Sequence, residues 1–287
     1  MCVHSLKLSQ SVSSPKPVLA HSIHPTACID PSARIAEGVQ IGPYVTVGLN
    51  SLIETGCVIE AHAVIGDYTH LGPHNHIYSH AVVGSPSQDL KHTEGSESWL
   101  IIGQYNRIRE FVTINRATSA GAVTQLGDHN LLMAYAHVAH DCQIGNQVVL
   151  ANGATLGGHV ELADQVIIGA MSGIHQFVKI GKLTMIGAMS RVCNDVPPFM
   201  LVSGSPPKIY GLNSVGLRRQ AVPGSVRKAL KQAFQTLYRR GLNQAEALEI
   251  LAQQAELPEI QMLIDFIQSS QRGLVGAAPV DWEIPIV

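Results

Sequence analysis

The sequence predicts a β-solenoid, a parallel β-helix wound from hexapeptide repeats, followed by a C-terminal α-helical bundle. Three observations predict it. An aliphatic residue returns at every sixth position from Ile23 through Ile29, Ile35, Ile41, Val47, Ile53, Ile59, Ile65, Leu71 and Ile77 to Val83, and the same beat runs from Leu126 to Val192. Neither a helical period of 3.6 nor a strand period of 2 yields six, whereas a hexad wrapped around a prism does. Glycine often follows the aliphatic residue, as at Gly42, Gly66, Gly145 and Gly187, and only 5% of residues are aromatic. A narrow coil has room for Ile, Val and Leu inside it and little else.

In chain order, residues 1–20 carry Ser, Pro and Lys without a sustained apolar run, so they read as a flexible tail and not as a secretory signal. Residues 21–196 form the prism. Three hexads close one coil, which places residues 18 apart above one another at about 4.8 Å. The beat breaks twice. The polar segment at 84–101 and the stretch at 115–125, where Ala120 stands on the beat, are expected to leave the prism as loops. Pro197-Pro198 and Pro206-Pro207 then stop the strands, and 197–275 reads as helical. Val226, Ala229, Leu230, Ala233, Phe234 and Leu237 have helical spacing, with Ser225 as N-cap and Gly241 closing the end; Asn243 and Pro258 start two more helices. Residues 276–287 are expected to be an unstructured tail.

A net charge of -2 gives no pull toward nucleic acid, and no apolar run approaches the roughly 20 residues of a membrane span. The expected protein is cytoplasmic, without integral membrane contact. The five cysteines are odd in number and widely spaced, which suits small buried thiols in a reducing compartment.

Coil arithmetic picks out three of the fourteen histidines. The hexads opening at 138, 156 and 174 stack in one column and carry His140, His159 and His175, with Asp141 and Gln176 beside them. Ordinary surface histidines bonded to carbonyls would look the same singly. Two chemistries remain open for the group: a neutral imidazole acting as general base, or a zinc site. A second polar group, Gln88, Asp89, Lys91 and His92, lies on the first loop.

The stretches Gln88-Asp-Leu-Lys, Asn106-Arg-Ile-Arg-Glu, Asp128-His-Asn-Leu-Leu-Met, Ala136-His-Val-Ala-His-Asp-Cys, Gly158-His-Val, His175-Gln-Phe and Asp195-Val-Pro-Pro resemble the UDP-N-acetylglucosamine O-acyltransferases of lipid A synthesis, over roughly residues 21–275. The resemblance implies a left-handed β-helix, a homotrimer with active sites between subunits, and transfer of an (R)-3-hydroxyacyl chain from acyl carrier protein to the 3-hydroxyl of a UDP-sugar, with no cofactor and no metal. His140 matches the family's general base, Asp141 the carboxylate that orients it, and Gly158 the oxyanion donor. Gln88, Asp89, Lys91, His159, His175, Gln176, Asn213 and Arg219 match substrate-binding positions, and Ala188 stands at the acyl-chain ruler, where the family often has Gly. Val215 replaces a usual acid, Gln220 a usual arginine and Asn115 a usual histidine. Arg218, Arg219, Arg227, Lys228 and Lys231 are candidates to meet the carrier protein's acidic helix.

Overall fold

Each hexad contributes one short strand and one turn. The computed structural model describes residues 22–253 and 255–279, and in it these strands stack into three sheets that form the sides of a left-handed triangular prism. That hand is an exception to the usual right-handed crossover. The aliphatic residue on the beat points inward and its neighbour outward: Gln40 is exposed and Ile41 buried, and Arg107 and Ile108 repeat the pattern. Registers follow the coil, with Ile41 paired to Ile59 and Leu132 to Leu150, which is paired in turn to Ile168. Burying each such side chain is worth roughly 1.5–3 kcal/mol. Polar residues inside the prism serve the backbone. Asn75 Oδ1 accepts the Asn106 N–H at 2.8 Å, Asn106 Oδ1 that of Asn130 at 2.8 Å, and Asn130 Oδ1 that of Val148 at 2.6 Å.

The corners are left-handed in backbone even where the residue is large. Tyr44, His62, His80, Phe111 and Tyr135 have φ between 57° and 64°, and their rings stack successively at 5.0 to 5.1 Å. Stacking one coil on the next helps offset a conformation that L-residues disfavour. Met171 and Met189 continue this first corner upward. Asp141, His159 and Phe177 share a second corner, and His129, Gln147, Gln165 and Leu183 a third.

Both loops are narrower than the sequence suggests, because strands run into them. Strand Val82–Ser85 extends through Ser85 and Trp99–Ile102 begins at Trp99, so the first excursion spans 86–98; Thr113–Asn115 and Val123–Leu126 confine the second to 116–122. Leu71 pairs with Ile102 and Ile102 with Leu126, at separations of 31 and 24, thirteen and six more than one coil.

Beyond Val192 the expected all-helical segment needs correction. Strands Met200–Ser203 and Lys208–Leu212 form an antiparallel hairpin, and its first strand adds to the prism beside Met185–Ile186. Pro197-Pro198 precedes this hairpin and Pro206-Pro207 sits in its turn, between the two strands, so neither pair abolishes it. Among the described residues four helices follow: α1 (Ser214–Arg219), α2 (Gly224–Tyr238), α3 (Gln244–Ala252) and α4 (Pro258–Ser269). The N-cap of α2 is Pro223, not Ser225, because the first helical bond already runs from the Arg227 N–H to the Pro223 carbonyl, and α2 ends at Tyr238, before Gly241. Asn243 caps α3 in a capping box with Glu246. Residues 276–279 do not belong to a tail: Ala277 bridges to Ile209, Ile209 exchanges backbone bonds with Gly276 and Ala278, and Ala278 is buried. The expected tails at 1–20 and 280–287 lie outside the described residues. Of the cysteines, Cys57 and Cys142 are buried, and burial pushes the Cys142 thiol up to about 12; Cys28 is exposed and Cys193 half-buried, so the buried-thiol expectation fails for these two.

Candidate active site

The second corner gathers the chemistry. His140 and Gly158 each precede a left-handed corner residue, Asp141 and His159, and the His159 N–H bonds the His140 carbonyl at 3.0 Å, so coil stacking sets the four side by side. The His140 side chain is only 12% exposed. Its Nδ1 lies 2.8 Å from Asp141 Oδ2, and its Nε2 points outward, 3.9 Å from Asp89 Oδ2 on the first loop. A proton held on Nδ1 for Asp141 leaves a lone pair on Nε2, the tautomer a base requires.

Burial opposes charge on Asp141, but hydrogen bonds from His140 and Thr118 and the nearby His159 outweigh it and hold the carboxyl below its usual value. The His159 ring meets His140 edge-on at 5.3 Å and stacks on Phe177 at 4.5 Å. Gly158 is buried against His140, where a Cβ would come within 2.6 Å of Nε2. Only glycine lets the coil above approach the imidazole so closely. Its N–H finds no acceptor among the described residues.

The first loop reaches this corner. Asp89 is half-buried, its Oδ1 accepting the Lys91 N–H at 2.9 Å, while Gln88 and Lys91 are exposed. Asn115 is buried and anchors the loop's base, donating to the Pro86 carbonyl at 2.7 Å.

The other candidates lie elsewhere. His175 shares the column, but its Nδ1 takes a bond from the Arg272 guanidinium at 3.3 Å. Among the described residues, the group whose ligand atoms converge well enough for a metal is His140, Asp141 and His159, not the three histidines expected from spacing. Gln176 is exposed beside Phe177. Asn213 is buried at the third corner, where its Nδ2 donates to the Leu183 carbonyl and its Oδ1 caps α1, so both polar ends serve the fold. Arg219 is exposed at the end of α1, and Ala188 is exposed at the first corner, next to Met189. One chain therefore spreads the expected residues over three corners. An open cleft of about 580 Å³ between the hairpin, α1 and α2 gathers Arg218, Arg227, Lys228 and Lys231; Arg219 does not line it.

Sequence reasoning missed three participants. His137 was visible in the motif Ala136-His-Val-Ala-His; its Nδ1 lies 2.7 Å from Thr113 Oγ1 on the same sheet face. Ser87 and Thr118 sit in the excursions, where coil arithmetic assigns no neighbours.

Comparison with known proteins points in one direction. Residues 195–275 match the family model described as UDP-N-acetylglucosamine O-acyltransferase, domain 2, and residues 124–158 match the bacterial transferase hexapeptide model. The acyl-(acyl-carrier-protein)-UDP-N-acetylglucosamine O-acyltransferase of Rippkaea orientalis is 52% identical over 203 residues, 71% of this chain and 73% of its own. That of Synechocystis sp. is 47% identical over 201 residues, 69% of this chain and 72% of its own. Among solved structures, the UDP-N-acetylglucosamine O-acyltransferase of Moraxella catarrhalis superposes with a TM-score of 0.85 at 44% identity, covering 88% of this chain and 99% of that one. The UDP-N-acetylglucosamine acyltransferase of Bacteroides fragilis gives 0.85 at 37%, with 88% and 99% covered.

Proposed function

Because the chain belongs to the UDP-N-acetylglucosamine O-acyltransferases, we propose that it transfers an (R)-3-hydroxyacyl chain from acyl carrier protein to the 3-hydroxyl of UDP-N-acetylglucosamine, with His140 as general base. The observation that carries this reading is the His140–Asp141 pair at 2.8 Å, with Nε2 facing outward beside the buried Gly158.

The steps follow from that geometry. His140 Nε2 accepts the proton of the sugar 3-hydroxyl as its oxygen attacks the thioester carbonyl. The imidazolium that forms is stabilised by Asp141, already ionised. The oxyanion takes the free Gly158 N–H, and such a preorganised donor is worth about 3 kcal/mol. Collapse breaks the carbon–sulfur bond, and the proton on His140 passes to the departing thiolate. A thioester is already activated, so this chemistry calls for neither metal nor cofactor.

Gln88, Asp89 and Lys91 on the first loop, with His159, His175 and Gln176, hold the sugar nucleotide or the carrier's prosthetic arm. Asn213 and Arg219 lie at another corner and Ala188 at a third, which supports a cleft between the subunits of a homotrimer as the working site. In that arrangement Arg219 faces the nucleotide and Ala188 the end of the acyl chain, where it acts as a length ruler. Replacement of the family's acid by Val215 and of its second arginine by Gln220 weakens the hold on the nucleotide. The four cations of the 580 Å³ cleft suit the acidic face of the carrier protein. Among the described residues no helix is long and apolar enough to cross a membrane, in keeping with a cytoplasmic reaction.

His140→Ala is expected to lower turnover by roughly 10²- to 10⁴-fold while gel filtration shows the oligomer unchanged. Retention of more than about a tenth of wild-type turnover would overturn the base assignment.

A further inference from the structure

The two excursions have no part in the hexad pattern, yet they meet at one buried residue. Thr118, in the 116–122 excursion, has every polar atom engaged. Its N–H donates to the Asp141 carboxylate at 3.2 and 3.3 Å, and its carbonyl accepts from His92 Nδ1 at 3.1 Å. Its hydroxyl lies between His140 Nδ1, at 3.0 Å, and Ser87 Oγ, at 2.8 Å. Ser87, also buried, accepts the Asp89 N–H at 3.1 Å and so begins the segment that carries Asp89 and Lys91.

We infer that Ser87 and Thr118 form a positioning relay that couples the seating of the 86–98 loop to the tautomer of His140. The inference rests on the base assignment above and extends it to two residues that need not touch substrate. Proton bookkeeping gives the direction. A hydroxyl has one proton to donate. Either hydroxyl can donate across the Ser87–Thr118 contact; the arrangement we assign has Thr118 Oγ–H donating to Ser87 Oγ and a lone pair turned toward His140, so that the Nδ1–H has two acceptors, Asp141 and Thr118. Nε2 is then free to accept the sugar's proton. Without the Ser87 acceptor, the Thr118 hydroxyl is free to swing its proton onto Nδ1, which favours the Nε2–H tautomer, and that form is no base. The seated loop thus presents Asp89 and Lys91 to substrate and holds the imidazole in its reactive form by the same contact.

The test uses the full-length enzyme and the variants Ser87→Ala, Thr118→Val and Thr118→Ser. Ser87→Ala and Thr118→Val are each expected to lower kcat about tenfold, the scale of one hydrogen bond to a group that becomes charged, with the sugar-nucleotide KM changed less than about twofold. The double variant is expected to be no worse than either single one, and Thr118→Ser to keep most of the wild-type kcat. Nitrogen-15 NMR of the histidine rings is expected to show the His140 tautomer ratio moving toward Nε2–H in Ser87→Ala, although Ser87 does not touch the ring. A Ser87→Ala enzyme with wild-type kcat and an unchanged His140 signal would overturn the relay. So would additive losses accompanied by a lower Tm and no tautomer change, since these are the marks of simple packing. The NMR readout needs no turnover, so failure of the relay is separable from failure of the base assignment, which His140→Ala alone decides.

Discussion

Burial and the charge that forms on His140 both hold the His137 imidazole below its ordinary value near 6.5. An unfolded chain therefore takes up this proton before the folded one does. The contribution of His137 to stability is fully present above about pH 6.5 and declines as pH falls from there to its lower folded value. Asp141 works in a different range: its depressed carboxyl contributes stability that is complete above the ordinary carboxylate value and lost only as pH falls through the folded one. His137→Gln is accordingly expected to flatten the drop in urea midpoint between about pH 7 and pH 5.5; a drop as steep as in the wild type would show that the group does not titrate there. At this scale the sequence was legible where coils stack regularly. His140 and His159 could be placed by counting in eighteens, because their turns carry no insertion. Thr118 could not, since it lies six residues out of phase and its partner Ser87 belongs to a separate excursion.

Among elements, the corners matter more for function than the sheets. Each is a file of left-handed residues one coil apart, and its contents change from rings at Tyr44, His62, His80, Phe111 and Tyr135 to thioethers at Met171 and Met189. Ala188 lies in the turn just before Met189 and is exposed. If the acyl chain ends there, Ala188→Gly removes one methyl from its stop, and the best substrate should become longer. A methylene in such a groove is worth about 10- to 200-fold in kcat/KM, so kinetics over a series of acyl-carrier-protein thioesters will reveal the shift; an unchanged ranking of chain lengths would dismiss Ala188 as the ruler. The strands were legible because one branched residue per hexad must face the axis. The hairpin Met200–Ser203 and Lys208–Leu212 was not, because its proline pairs look like terminators, and α1 has only six residues, too few to display a helical period. α3 and α4 were legible from Asn243 and Pro258, whose capping and N1 roles are local.

For the whole molecule, the decisive feature is that the expected site residues of one chain do not converge. His140 lies at the second corner, Asn213 packs at the third and Ala188 sits at the first. A shared cleft predicts complementation. Co-expressed His140→Ala and Arg219→Ala subunits should form mixed assemblies in which some clefts carry both wild-type residues, and these should regain turnover at low UDP-sugar concentration that neither variant shows alone. A mixture no better than the sum of its parents would place the complete site within one chain. Counting separates His140 from Ala188, since the 48 residues between them are two coils and two hexads with no insertion; it stops short of Asn213, which follows the hairpin beyond the last hexad.

The excursions lengthen their coils by thirteen and six residues without disturbing the pairings above them: Leu132 still meets Leu150, as Ile41 meets Ile59. Architecture and selectivity are thereby inherited as separate properties. Descendants of this fold can exchange the contents of either bulge, and with them the groups presented to a sugar, while the ladder beneath retains its phase.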